Sequence, residues 1–281
     1  MVQTQDPVGA RFTLHRCMIK VDGIAFKASI EYVNMSWINT FRESYRKRSG
    51  EHVRRSDRAR GLSDAVGGSF DTIGYLEKRL LKMHGLAPDH FLIDVGCGSG
   101  RLLSQLTTQD VARYLGTDIS LELLANCEHY LATDAWQLRA VENCEIPSEE
   151  STADMVCMFS LITHLLHQQS YLYFQEAARV LKPGGKLIVS FLEFRHPGLW
   201  PIFEASISEV LSGGRLDTFV DRDALTQWSE HAGFEEVTFI DGEKPHIPID
   251  REIEFDNGLR VSSMSRLGPT GQSIMICQKK V

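Results

Sequence analysis

No stretch of the 281-residue chain is long and apolar enough to span a bilayer, which takes about 20 residues. The most apolar window, 155–166, is broken by Ser160, Thr163 and His164. The first residues, MVQTQDPVGAR, lack an apolar signal-peptide core, so the expected location is cytoplasmic, with no membrane partner. The six cysteines, at 17, 97, 127, 144, 157 and 277, form no CxxC pair. That argues against a disulfide scaffold or zinc finger and for reduced, mostly buried thiols. No repeat or low-complexity tract is visible.

The composition, 43% hydrophobic and 24% charged, is that of an ordinary globular protein and speaks against wholesale disorder. The length fits one large domain or two small ones. The formal net charge is −7, but residues 42–60 carry eight Lys/Arg against three Asp/Glu, leaving −12 on the rest. An acidic body with one basic segment is a poor general nucleic-acid binder, though the segment suits a single anionic group on a small acceptor. Arg46, Lys47, Arg48, Arg54, Arg55, Arg58 and Arg60 are seven of its eight cations. A solvated helix face is the favoured account of them.

Residues 11–21 and 24–33 flank Asp22-Gly23 and read as a hairpin on a type I′ turn. Its edge strands offer pairing to a second copy. Residues 32–60 read as partly amphipathic helix, and 71–84 as another. From residue 90 the pattern becomes regular. Short apolar strands (91–95, 112–118, 136–141, 154–160, 186–192) alternate with helical stretches (100–106, 121–130, 168–181). That alternation predicts parallel βαβ units, an α/β sheet covered on both faces. A further helix spans 221–232, closed by Gly233, and 234–240 and 272–280 complete the strands. Residues 242–271 are too long for an ordinary connection. The expected division is a hairpin and basic helical cap over 1–67 and a ligand-binding domain over 68–281.

The strongest signal is Ile93-Asp94-Val95-Gly96-Cys97-Gly98-Ser99-Gly100. A glycine turn after the first strand lets a ligand approach the backbone. A dinucleotide fingerprint is GxGxxG, whereas this is GxGxG with Asp94 two residues ahead. A carboxylate there would repel pyrophosphate and suits a cationic ligand without phosphate, S-adenosylmethionine (SAM). Asp118 ends the second strand, 24 residues beyond Asp94. It is placed to accept ribose hydroxyls, or else to cap the helix that follows, as Ser120 also could.

These elements resemble the class I SAM-dependent methyltransferases. Glu142-Asn143-Cys144-Glu145-Ile146-Pro147 followed by Ala153-Asp154-Met155-Val156 is similar to the family's acidic turn and fourth strand. Val180-Leu181-Lys182-Pro183-Gly184-Gly185-Lys186-Leu187 is similar to its turn into the fifth, and His231-Ala232-Gly233-Phe234 to its entry to the sixth. The resemblance covers roughly 68–241 and the final strand. It implies a seven-stranded Rossmann-like sheet with the last strand antiparallel, SAM as cofactor, S-adenosylhomocysteine as product, and no metal. Asp94, Gly96, Gly98 and Gly100 would line the methionine end of SAM. Asp118 would hold the ribose and Ile119 the adenine, with Glu142 and Asn143 at the adenine edge. Ser160 would face the cofactor through its carbonyl. Glu142 departs from the family's usual Asp, which leaves its contact open.

Leu161-Ile162-Thr163-His164-Leu165 resembles the histidine element of small-molecule and sugar O-methyltransferases. His164 would be either the general base or a residue packed beneath the cofactor, two readings of equal standing. In 191–200, Glu193 and His196 are further candidates for orienting or accepting a proton, and Trp200 for stacking on the acceptor. The favoured activity is methylation of a hydroxyl on a sugar or natural-product metabolite. N-methylation, or methylation of RNA, glycan or protein, is the alternative.

Overall fold

The structure is a computed structural model, described for residues 18–21, 24–27, 43–47, 50–51, 61, 63, 66–212, 214–262 and 271–281. Two compact units divide it, 1–39 and 40–281. In the smaller unit β1 (Met18–Val21) pairs antiparallel with β2 (Ile24–Lys27), Val21 opposite Ile24. The pairing is that of the expected hairpin, while its turn residues, 22–23, lie outside the described residues. Most of the helix expected over 32–60 lies outside the described residues, of which 43–47 are helical.

The larger unit begins its regular part with α1 (Phe70–Met83), followed by β3 (Phe91–Val95), β4 (Arg113–Asp118), α2 (Leu121–Cys127) and β5 (Trp136–Ala140). Then come β6 (Ala153–Met158), α3 (His167–Val180), β7 (Leu181–Phe191) and α4 (Trp200–Leu211). The chain continues through α5 (Arg222–Ala232), β8 (Phe234–Ile240), β9 (Ile253–Glu254), β10 (Arg260–Val261) and β11 (Ser273–Lys279). The main sheet has seven strands in the order β5-β4-β3-β6-β7-β11-β8. Its first five strands are mutually parallel, and β11 runs antiparallel between β7 and β8. This is the expected Rossmann-like class I methyltransferase sheet. Strand order reverses between β3 and β6, so a crevice opens beyond their carboxyl ends, where doubly wound sheets bind ligands.

Every residue of β3 is buried. Leu92 joins one apolar layer, with Leu76 and Leu80 of α1, while Ile93 and Val95 join the other, with Phe174 and Ala177 of α3. Such two-sided burial makes parallel strands read as unbroken apolar runs. On α1 the buried stripe is Ile73, Leu76, Glu77, Leu80 and Leu81, the i, i+3, i+4, i+7, i+8 spacing of one helix face. Ser120 caps α2, its Oγ accepting from Leu123 N at 3.3 Å, and Gly233 ends α5 with φ +99°. That left-handed cap favours glycine.

Three expectations need correction. Residues 100–106 form no α-helix: Ser104 N reaches Gly100 O, but Gln105 N and Leu106 N bond three residues back, leaving a 3-10 turn over Leu103–Gln105. Strand β7 begins at Leu181 rather than 186, because Leu181 pairs with Ala153 before a register shift restores pairing at Lys186 opposite Met155. Helix α4 was not expected at all. The 242–271 insertion carries the β9–β10 hairpin, and it buries Ile247, Ile253 and Phe255 in the α1-side layer.

Candidate active site

The glycine loop leaves β3 and folds against the end of β4. Gly96 N and Cys97 N donate to Thr117 O at 2.7 and 2.9 Å. Gly98 (φ +56°) donates its N–H to Asp118 Oδ2 at 3.0 Å. A Cβ at Gly98 would stand 2.7 Å from Val66 Cγ1, and one at Gly96 2.9 Å from Leu161 Cδ1. Glycine at both positions lets Leu161 and Val66 pack directly on the loop backbone, and the positive φ at each favours glycine as well.

Asp118 receives a second backbone donor, Ser120 N, on Oδ1 at 2.8 Å. Burial pushes its carboxyl up to about 6 against the pull of those N–H groups. Asp94 lies on the α1-side face of β3. Its Oδ2 accepts from Tyr114 Oη at 2.8 Å, and Cys157 Sγ approaches Oδ1 at 3.6 Å. Burial, reinforced by neighbouring Glu77, pushes its carboxyl up to about 7. The two acids therefore sit under and beside the loop as buried groups whose charge is poorly compensated in the free protein, where a cationic ligand would be welcome. Ile119 is half-buried, and Glu142 and Asn143 are exposed just past the end of β5. All three lie at the carboxyl edge, where the adenosine end was expected.

Sequence reasoning missed Arg101. Its Nε and Nη2 donate to Glu77 Oε1 at 3.1 and 2.5 Å, and Nη1 donates to Val66 O at 2.6 Å. The pair is buried, and desolvation raises the Glu77 carboxyl against the lowering effect of Arg101. The available signal was an acid, Glu77, standing on the apolar stripe of α1. Arg101 also joins the segment before α1 to the glycine loop, and Arg46 Nε does the same on the β4 side, donating to Ile119 O at 3.1 Å.

Beyond β6, Ser160 adopts φ +53°, uncommon for a residue with a Cβ. Its N–H donates to Ser190 Oγ at 2.7 Å, and its carbonyl accepts from Thr163 Oγ1 at 2.8 Å. Gln272 Nε2 donates to its hydroxyl at 3.0 Å. His164 ends the following 3-10 turn. Its Nδ1 lies 2.8 Å from Leu216 O and 3.6 Å from Asp217 Oδ1, and its side chain is 28% exposed. The Tyr45 ring stands 6.4 Å away. The segment 216–219 is laced to this turn: Thr218 N donates to Thr163 O, Thr218 Oγ1 to Leu165 O, and His167 Nε2 lies 3.2 Å from Phe219 O.

Glu193 and His196 come together in a separate buried network, their side chains only 2% and 5% exposed. Glu193 takes Nε and Nη2 of Arg222 at 2.9 and 2.7 Å and the Ser273 hydroxyl at 2.5 Å. His196 Nε2 lies 2.9 Å from Ser273 Oγ, and Nδ1 is 3.4 Å from Glu243. Glu193, His196 and Asp241 are the one trio of candidate metal-ligating side chains among the described residues. The Arg222 guanidinium already bridges Glu193 and Asp241, so the cation this cluster calls for is an arginine of the chain itself. Trp200 opens α4, half exposed, packed with Phe194 and Phe203 at 6.3 and 5.2 Å between ring centres.

Residues 93–189 match a family described as Methyltransferase domain. Over 187 residues the chain is 30% identical to the biotin biosynthesis bifunctional protein BioHC of Cellvibrio japonicus, covering 66% of this chain and 34% of that one. Over 137 residues it is 31% identical to a demethylmenaquinone methyltransferase of Tropheryma whipplei, covering 46% and 52%. Among solved structures, human N-acetylserotonin methyltransferase in complex with SAM superposes with a TM-score of 0.57 at 14% identity, covering 89% of this chain and 61% of that one. Residues 93–189 therefore carry a methyltransferase domain on the class I SAM-dependent methyltransferase fold, whose cofactor is SAM. The chain spans about a third to a half of the length of the two curated relatives named above. No helix among the described residues is long and apolar enough to cross a membrane.

Proposed function

We propose that the protein methylates a hydroxyl oxygen of a small polar acceptor, a sugar or natural-product metabolite, with His164 as general base. The observation that carries this is the placement of His164. It stands at the carboxyl edge beyond β6, partly exposed, with Nδ1 against the carbonyl of Leu216. A carbonyl only accepts, so Nδ1 holds the proton and Nε2 the lone pair. When bound, SAM supplies a methyl group on a cationic sulfur and leaves as S-adenosylhomocysteine. The glycine loop orients it, Asp94 compensates its positive charge from beneath, and Asp118 anchors the ribose, with Ile119, Glu142 and Asn143 around the adenine. Much of the acceleration comes from alignment of the acceptor oxygen with that methyl. Proton removal by His164 contributes about 10²–10⁴-fold. Glu193 and His196, sealed against Arg222 and Ser273, hold the loop after β7 in shape, and Trp200 offers its exposed ring to the acceptor. An anionic group on the acceptor would meet Arg46.

The test is a panel of hydroxylated acceptors with radiolabelled methyl donor. Labelled methyl ether forming with a hydroxyl acceptor, and lost with His164→Ala, is the expected result. Transfer only to amines or macromolecules would overturn the acceptor assignment.

A further inference from the structure

We infer that Asp217 is a positioning residue for His164, acting with the Leu216 carbonyl to hold the imidazole as the base. The inference rests on the reading of His164 given above. Leu216 O at 2.8 Å fixes which nitrogen carries hydrogen. Asp217 Oδ1, at 3.6 Å from the same nitrogen, is too far for a good hydrogen bond and near enough to act by charge. Its side chain is only 5% exposed, so that charge is weakly screened by water. The proton leaving the acceptor oxygen passes to Nε2, and the positive charge it brings to the ring is met at Nδ1 by Asp217.

The carboxylate is itself held from the far side, Arg215 Nη2 and Nε donating to its Oδ2 at 2.9 and 3.3 Å. That leaves Oδ1 turned to the histidine. The backbone bond from Thr218 N, next to Asp217, to Thr163 O, next to His164, keeps the distance fixed. The titratable and charged groups that the described residues set against His164 are Asp217 and Tyr45, with Arg215 behind Asp217. Nothing in the local sequence announces this arrangement, because Leu216 stands 52 residues beyond His164.

Nitrogen-detected NMR of the full chain, with histidine labelled, reads tautomer and titration of His164 without an acceptor. The expected result is a proton on Nδ1 in the neutral ring. In Asp217→Asn the His164 titration midpoint falls by about one pH unit, the size expected of a partly solvated unit charge at this range. Turnover on a hydroxyl acceptor falls about tenfold, its acid limb moves to lower pH by the same amount, and SAM affinity is unchanged. Asp217→Glu restores the midpoint. A proton on Nε2, or an unmoved midpoint in Asp217→Asn, overturns the inference. Full turnover in His164→Gln would instead overturn the base reading, so the two failures are distinguishable.

Discussion

Asp94 and Asp118 are acids that the fold keeps from ionising easily, and that sets a pH dependence. An Asp94 carboxyl held up to about 7 is largely protonated at pH 6. A cationic ligand favours the ionised form, so SAM binding should release a proton there and tighten as pH rises, by up to about tenfold per unit below the midpoint. Calorimetry in buffers of different ionisation enthalpy reads the released proton, and Asp94→Asn should flatten the profile. Proton uptake on binding would contradict the role given to Asp94. For folding of the free protein the sign is opposite. Both acids titrate from 3.8 when ordinary to about 7 and 6 here. Their stabilisation is full below about pH 4 and is lost as pH rises through those values. At the same scale His164 shows the limit of local reading. Its residue type and place after a strand were legible, but its Nδ1 acceptor and neighbouring charge were not.

Among elements, the strands and their order were legible because each is buried on both faces and must read as a short apolar run. Helix α4 was not, because in its sequence WPIFEASISEVL only Ser206 is buried and Trp200, Ile207 and Leu211 are exposed. Periodicity marks a helix through its buried face, and α4 has almost none. Two arginines, each paired with a buried glutamate, tie elements together. Arg222 of α5 joins Glu193 beyond β7 to Asp241 beyond β8, and Arg101 joins the glycine loop to Glu77 of α1. Removing one partner of such a pair leaves a buried charge alone, at about 3–5 kcal/mol. Urea unfolding of Arg222→Ala and Arg101→Ala should show losses of that order. Glu77→Leu combined with Arg101→Met should recover much of the second. If Arg222→Ala unfolds like the parent protein, the network is not the lock described. Within α1, Leu76→Ala should cost about 2–5 kcal/mol, since Leu76 is wholly buried.

In the whole molecule the segment before α1 lies against the glycine loop and the end of β4. Val66 lies against Gly98 and gives its carbonyl to Arg101, while Arg46 takes the carbonyl of Ile119. A chain starting at residue 40 should keep SAM affinity. One starting at residue 68 should bind SAM at least about tenfold more weakly, a loss worth about 1.4 kcal/mol. Calorimetry on the two truncations decides it, and equal affinities would remove the segment from the site. From sequence alone this region was a basic stretch ahead of a domain, with the boundary set at 67.

The glycine loop, the two acids at the ends of β3 and β4, and the alternation of apolar strands with helices are local patterns. The sequence by itself therefore determined the sheet and its cofactor, since backbone conformation, two-sided burial and charge at a strand end are written in adjacent residues. Tertiary structure alone decided that the Leu216 carbonyl faces Nδ1 of His164, that Glu193 and His196 are sealed by Arg222 and Ser273, and that Arg101 pairs with Glu77. Each of these depends on groups brought together from distant parts of the chain, and the burial that gives such pairs their strength exists only once the layers have closed.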